Sequence, residues 1–384
     1  MSGTAHFATD AVRASVTLPA CALVLAIWAT ALGAQEIDPE LASLEARLGE
    51  LRGEDRIEAL IRLADHYGSA QPEAGLAYAL EAAELLDPLD QPARLALALN
   101  HAAWAEQVLG RYEDGLAHAR EAERLAEVAG DRVLKSDALN LQGILHYRSS
   151  DYANAKLAYE ASLALRQEVG DKRLIGNSYN NLASLHNVTG EFEKALELHR
   201  QALAMRREVG DEALIAGSLN NIANGYQNLG LYELAAEHFH QSLEIKERLG
   251  RRLEAARVLG NLGSLYNSVG DPDRAIEYLE RAIRIQRELG YSYGVAINSA
   301  AIAEALIELD RLDDALRWLD EGQQVAEASG DDSNLATILS LKGTVFTRLE
   351  DFSRAEEALQ RALELADRID SDTGLMDVLL RYGR

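Results

Sequence analysis

The stretch from Asp171 to Gly210 reads DKRLIGNSYNNLASLHNVTG followed by EFEKALELHRQALAMRREVG, and its reading decides the fold. Asp171 is placed to accept hydrogen bonds from the first free amides of a helix. Tyr179, Leu182, Ala183 and His186 then recur at the spacing of a helix with one buried face. Gly190 stops that helix by admitting a left-handed backbone. Phe192, Ala195, Leu196, His199, Ala202 and Leu203 give a second helix its buried stripe, and Gly210 ends it before Asp211 starts the next unit.

Working outward, the unit repeats. Gly130, Gly170, Gly210, Gly250, Gly290 and Gly330 stand forty residues apart, the sign of one structural module copied in tandem. Ala155, Ala195, Ala235, Ala275, Ala315 and Ala355 run in phase, with Gly115 in the same register upstream. A third column reads Gly143, Ala183, Ala223, Gly263, Ala303 and Gly343. Small residues at fixed offsets mark close helix approaches, so each unit is a helix pair. Units of this kind run 91–130, 131–170, 171–210, 211–250, 251–290, 291–330 and 331–370. Residues 35–90 are expected to hold a leading helix, Leu41 to Leu51, and a less regular pair, Asp55 to Tyr67 with Pro72 to Leu86. Terminal units that cover an open apolar face are ordinarily irregular.

Composition agrees with helix and little else: 48% of residues are hydrophobic but only 6% aromatic, and five of the six prolines precede residue 93. The 62 acidic and 38 basic residues leave a net charge of −24, which argues against nucleic acid and anionic membrane surfaces as partners. That surplus reads as solubility for a long exposed array, with attraction of a basic ligand as the other reading. Cys21 is the only cysteine and lies in the N-terminal apolar stretch, so the repeats hold neither a disulfide nor a thiolate metal site. Between Ala14 and Gln35 the chain is uncharged with a dense apolar centre and ends in small residues, either Ala31-Leu-Gly33 or Ala29-Thr-Ala31. Residues 1–34 are therefore expected to be a cleaved export signal, with an uncleaved membrane anchor as the competitor. Either places the repeats in the periplasm.

The stretches Asn221-Ile-Ala-Asn-Gly-Tyr-Gln-Asn-Leu-Gly-Leu-Tyr-Glu-Leu-Ala235 and Asn261-Leu-Gly-Ser-Leu-Tyr-Asn-Ser-Val-Gly270 resemble the first helix and turn of the tetratricopeptide repeat. Ala202 and Ala282 resemble its small second-helix residue. The forty-residue period is similar to that of kinesin light chains, Pins-type adaptors and many bacterial sensor regions. The resemblance covers roughly residues 53–384 and implies an all-α fold, a right-handed superhelix of about eight helix pairs. It also implies a general protein-binding scaffold. Departures fall at Ser150, Asp310 and Glu350 in the turn-glycine register, and at Gln142 and Lys342 where the first helix normally carries an apolar residue.

One feature exceeds what the fold requires. Leu174 to Gly190, Ala213 to Tyr232 and Val258 to Gly270 contain no Asp, Glu, Lys or Arg, whereas the second helices are heavily charged. One residue along from each buried stripe lies a polar one at helical spacing: Asn180, Ser184, Asn187; Asn220, Asn224, Gln227, Asn228; Ser264, Asn267, Ser268. Asn140 and Tyr147 extend it. First helices line the concave wall in the family, so the resemblance places this stripe in a groove. Carboxamides offer donor and acceptor together, which suits the amide and carbonyl groups of an extended peptide. The neighbouring Asn181, Asn221 and Asn261 are read as structural braces between helices.

Catalytic patterns do not occur: there is no His-Glu-x-x-His, no phosphate-binding glycine loop and no nucleophile elbow. His146 and His186 occupy apolar registers and read as packed imidazoles, while His238 and His240 point apart on one helix. No enzyme activity, metal or cofactor is expected. Asn187-Val-Thr189 fits a glycosylation acceptor by spacing alone. Ser371 to Arg384 repeats the register of Asp331 to Thr344, which reads as the start of a further helix. Two functions follow: an exported scaffold binding an extended protein or peptide segment, or the extracytoplasmic sensory half of a longer signalling protein. In the second, a diguanylate cyclase or histidine kinase domain would lie beyond Arg384.

Overall fold

A computed structural model describes residues 39–369. The expected leader or anchor and the further helix after Ser371 lie outside these residues. The described chain is helical almost throughout. A leading helix α1 (Pro39–Arg47) precedes α2 (Gly53–Ala70) and α3 (Pro72–Leu86), and a short 3₁₀ turn, Asp87–Leu89, leads into the regular array. The array comprises α4 (Pro92–Val108), α5 (Tyr112–Ala129), α6 (Arg132–Arg148), α7 (Tyr152–Val169), α8 (Lys172–Val188) and α9 (Phe192–Val209). It continues through α10 (Glu212–Asn228), α11 (Tyr232–Arg248), α12 (Arg252–Ser268) and α13 (Pro272–Glu288). The last four are α14 (Ser292–Glu308), α15 (Leu312–Ser329), α16 (Asp332–Arg348) and α17 (Phe352–Arg368). From α2 onward they form eight consecutive antiparallel pairs, an all-α solenoid, with α1 ending at Arg47, earlier than the expected Leu51.

The repeat signals act as their chemistry requires. Asp131, Asp171, Asp211 and Asp331 each accept a hydrogen bond from the third residue on, at 2.9, 3.1, 3.0 and 3.1 Å respectively. Gly190 turns the chain at φ 78°, and Ser150, Asp310 and Glu350 are held in the same left-handed region at φ 61°, 58° and 60°. The turn geometry thus persists where the glycine does not, at a cost of order 1 kcal/mol for each.

The small-residue columns are the seams. Ala155, Ala195, Ala235, Ala275 and Ala315 are wholly buried. A methyl group at Gly143, Gly263 or Gly343 would run into Tyr159, Leu279 or Leu359, a knob register that continues as His199, Phe239 and Leu319. Gln142 and Lys342, polar at an apolar register, reach back to the preceding second helix: Gln142 donates to Glu123 at 2.8 Å, and Lys342 pairs with Asp320. Successive first helices touch along the stack, α4 with α6 and α12 with α14 among them, while no second helix meets another comparably among the described residues. The first helices therefore form a continuous wall. Of their successive pairs from α2 to α16, α8 and α10 have the slightest backbone contact.

Candidate functional site

The wall carries two adjacent columns of asparagine, and they meet across the repeats. Asn181 donates through Nδ2 to the Oδ1 of Asn140 at 2.9 Å, Asn221 to Asn180 at 2.7 Å, and Asn261 to Asn220 at 2.9 Å. Each bond joins residues forty-one apart, one rung per repeat. Asn181, Asn221 and Asn261 are thus inter-repeat braces, and their acceptors are three of the residues expected to meet a ligand. The Nδ2 groups of Asn140 and Asn180 have no partner among the described residues. Asn220 points its Nδ2 toward the Oδ1 of Asn221 at 3.4 Å.

The other expected contacts divide by register. Asn187 directs its amide at Nε2 of His199, 3.4 Å away, and its Oδ1 is buried without a partner. Asn267 donates to the Ala301 carbonyl at 2.9 Å and likewise buries an unpartnered Oδ1. Ser184 returns its hydroxyl to the Asn180 carbonyl of its own helix at 3.0 Å, as Ser268 does to Ser264. Tyr147 is half-buried, with its ring centroid 5.9 Å from that of Tyr152. Asn224 and Gln227 are half-buried, Asn228 and Ser264 are exposed, and none of their side chains has an internal hydrogen-bond partner. Unlike the rung carboxamides and those of Asn187 and Asn267, these four carry side chains that are wholly free to bond a ligand.

Behind the wall lies a register that escaped the reading of the sequence. Arg166, Arg206, Lys246 and Gln286 are all buried, on the second helices, and reach between consecutive first helices. Arg166 pairs with Asp137 at 2.8 Å and donates to Ser178 at 2.9 Å and to the Leu174 carbonyl at 3.3 Å. Arg206 makes the equivalent bonds to Ser218 at 2.7 Å and to the Leu214 carbonyl at 3.3 Å. At the position matching Asp137 it meets the neutral Oδ1 of Asn177, at 3.3 Å. Lys246 turns to Glu254 at 3.1 Å, and Gln286 accepts from Asn298 at 2.9 Å. The signal was available: Arg, Arg, Lys and Gln forty residues apart in a register otherwise filled by Ala126, Ala326 and Ala366.

The histidines divide in the same way. His146 and His186 are packed as expected, their side chains 12% exposed. They pair with the acids that follow their turns, His146 with Asp151 at 3.0 Å and His186 with Glu191. The histidine in the core is His199, 2% exposed, with Nδ1 buried and unpartnered. Burial, and then the charge of Arg206, pull its pKa down to about 4. His238 and His240 diverge, toward Tyr226 and Tyr278 respectively. No cluster of three metal-ligating side chains occurs among the described residues, and none of the described helices is long and apolar enough to cross a membrane.

Comparison with known proteins agrees with this geometry. By fold the chain is similar to the apo form of the quorum sensor NprR from B. thuringiensis, with TM-score 0.65 and 15% identity over 90% of this chain and 99% of that one. It is also similar to a Rap protein complexed with Competence and Sporulation Factor, with TM-score 0.56 and 16% identity over 90% and 96% of the two chains. Aspartyl phosphate phosphatase F from Bacillus subtilis gives TM-score 0.56 and 16% identity over 86% and 93%. At such identities the likeness is one of fold. No functionally curated protein matches the sequence significantly. The tetratricopeptide repeat model matches residues 151–208, 214–288 and 295–368, more than half of the chain, and the protein belongs to the tetratricopeptide repeat family.

Proposed function

We propose that this protein is a non-enzymatic scaffold of the cell envelope that binds an extended protein or peptide segment along its first-helix wall. The observation that carries the reading is the wall itself: three first-helix stretches without formal charge, 174–190, 213–232 and 258–270, in a chain of net charge −24, presenting carboxamides with open hydrogen-bonding groups. A surface serving only solubility would carry Lys and Glu, as the second helices do. Amides at the repeat spacing match a partner whose own amides recur along an extended backbone. The envelope location rests on the apolar stretch from Ala14 to Gln35.

A sensory variant of the same chemistry finds support in the fold of its neighbours, which include a quorum sensor and a Rap protein bound to Competence and Sporulation Factor. There the ligand would be a short peptide signal rather than a protein segment. Both readings place the ligand on Asn224, Gln227, Asn228 and Ser264, not on the rungs, whose loss would also unfasten the repeats.

Capture from an envelope extract with the full chain, followed by identification of the bound species, tests the reading. Substituting Asn224, Gln227 and Asn228 together by Ala is expected to abolish capture while leaving helicity and the unfolding midpoint unchanged. Undiminished capture by that variant would remove the wall as the binding surface.

A further inference from the structure

The turns between the two helices of each repeat lie along one edge of the array, and one of them departs from the rest. The residue that opens the second helix is charged in six repeats, as Arg111, Asp151, Glu191, Asp271, Arg311 and Asp351, but is Leu231 in the unit 211–250. Three residues on, where the others carry Asp114, Asn154, Lys194, Arg274, Asp314 and Arg354, stands Leu234. Neither leucine is drawn inward: Leu231 is 46% exposed and Leu234 40%, with Tyr232 between them at 37%. Asp151, Asp271 and Asp351 each cap their helix by accepting from the amide three residues on, at 3.2 Å, whereas α11 has no side-chain cap. Leucine is among the poorest residues for that position, and it gains nothing by standing in water. The repeat thus gives up a cap and a polar side chain for two leucines that its own helices leave exposed.

The surroundings are chemically specific. Val188 and Val269, on the turns before and after, are exposed as well. The cap acids of those two turns are already engaged, Glu191 with Lys194 at 3.0 Å and Asp271 with Arg274 at 3.3 Å, so neither presents a bare charge. Two groups at the patch are not engaged. Glu233, between the leucines, has no cation at ion-pair distance among the described residues. Arg200 on α9 donates to the Tyr226 hydroxyl at 2.7 Å and lies over that ring, 5.5 Å from its centroid, with no carboxylate at ion-pair distance. The Tyr226 ring meets His238, 5.2 Å between centroids, and His238 bonds the Leu234 carbonyl through Nδ1 at 2.9 Å, so Arg200 borders the patch.

We infer that this edge pairs two copies of the protein about a two-fold axis, Leu231, Tyr232 and Leu234 of each covering those of the other. Glu233 of one copy then meets Arg200 of its mate, each supplying the charge the other lacks. A two-fold contact sets one surface against itself, so it needs a patch that is apolar and self-complementary in charge. Copies of a chain with net charge −24 repel one another over most of their surface, which favours contact where acids have been replaced by leucine. The pairing uses none of the carboxamides assigned to the ligand, so the wall stays available in both copies.

Sedimentation equilibrium of the full chain tests the pairing. The mass is expected to rise from one chain to two between about 1 and 100 µM, the range open to a small interface. The decisive variant carries Leu231→Asp and Leu234→Arg together, which gives the turn the residues found one repeat on at Asp271 and Arg274. It is expected to keep or raise the unfolding midpoint, because a cap is restored, and to remain a single chain throughout that range. Leu234→Arg alone is expected to weaken association at least about tenfold, and it decides the matter should the double variant fail to fold. Arg200→Glu is expected to weaken pairing by about tenfold, and Arg200→Glu with Glu233→Arg in the same chain to restore it. A chain that stays single at the highest concentration, growth beyond two chains, or pairing that survives the leucine substitutions overturns the inference. Reversed charges that fail to restore pairing overturn the seating of Glu233 on Arg200, and the two-fold arrangement with it.

Discussion

Between residues 131 and 290 the repeats are fastened by amides and buried cations, whereas between 291 and 368 the same registers are largely apolar. The rung acceptors Asn140, Asn180 and Asn220 give way to Gly260, Ala300 and Ser340, and the rung donors Asn181, Asn221 and Asn261 to Ala301 and Leu341. Arg166, Arg206 and Lys246 give way to Gln286, Ala326 and Ala366. The change is already visible at Gly260, where a side chain would crowd Oδ1 of Asn298, 2.9 Å from the position of its Cβ. A large apolar cluster, from Ala275 to Leu365, fills the second region. Both regions have an apolar core, and the first adds polar bonds at these registers.

The difference can be tested in order of expected effect. Leu319, wholly buried in the apolar region, is expected to cost about 2–5 kcal/mol on Leu319→Ala. Chemical denaturation measures it, and a loss well below that range would mean the apolar seams are not what secures the second region.

His199 occupies the same knob register in the polar region, and its response is to acid. Its folded pKa, about 4, lies below the ordinary 6.5, so the unfolded chain takes up the proton first as pH falls. The contribution is complete above the ordinary value and is lost progressively toward the folded one, a total of about 3 kcal/mol. His199→Phe, matching Phe239 one repeat on, is expected to flatten that part of the stability–pH curve. An unchanged slope would show that His199 is not buried in its neutral form.

The rungs come next. Asn221→Leu deprives Asn180 of its donor and is expected to cost about 1–3 kcal/mol, and adding Asn180→Leu to cost less than the sum of the two changes. Strict additivity in a double-mutant cycle would mean the rung contributes nothing as a pair. Smallest is the effect at Asn224 or Gln227, each expected to weaken partner affinity by about 0.5–1.5 kcal/mol with no change in stability. A drop in unfolding midpoint there would move these residues from the binding surface to the structural class.

Much of this was legible beforehand, and the residues show why. The glycines at 130, 170, 210 and 330 and the aspartates after them act within one turn of chain, so their spacing alone reveals where helices stop and start. The columns of Ala155 and Gly143 likewise mark close approach, because small size is needed whatever the exact crossing angle. The site was harder. Asn180 and Asn181 are neighbours on a helix, and spacing shows only that they face different ways. That one would donate across the repeat boundary and the other accept could not be read from it, because the bond joins residues forty-one apart. The acid partner of His186 was hidden for the same reason: the imidazole packs in its register as expected but meets Glu191 only after the turn folds back.

What the chain determined on its own is the module, its length, its caps and the separation of a charged face from an amide face, because helix periodicity and capping are local and copied in register. What only the packed solenoid decided is which polar groups satisfy one another and which remain open. That depends on the stagger of whole helices past each other, which sets the carboxylate of Asp137 against Arg166 and only the neutral amide of Asn177 at the same place against Arg206.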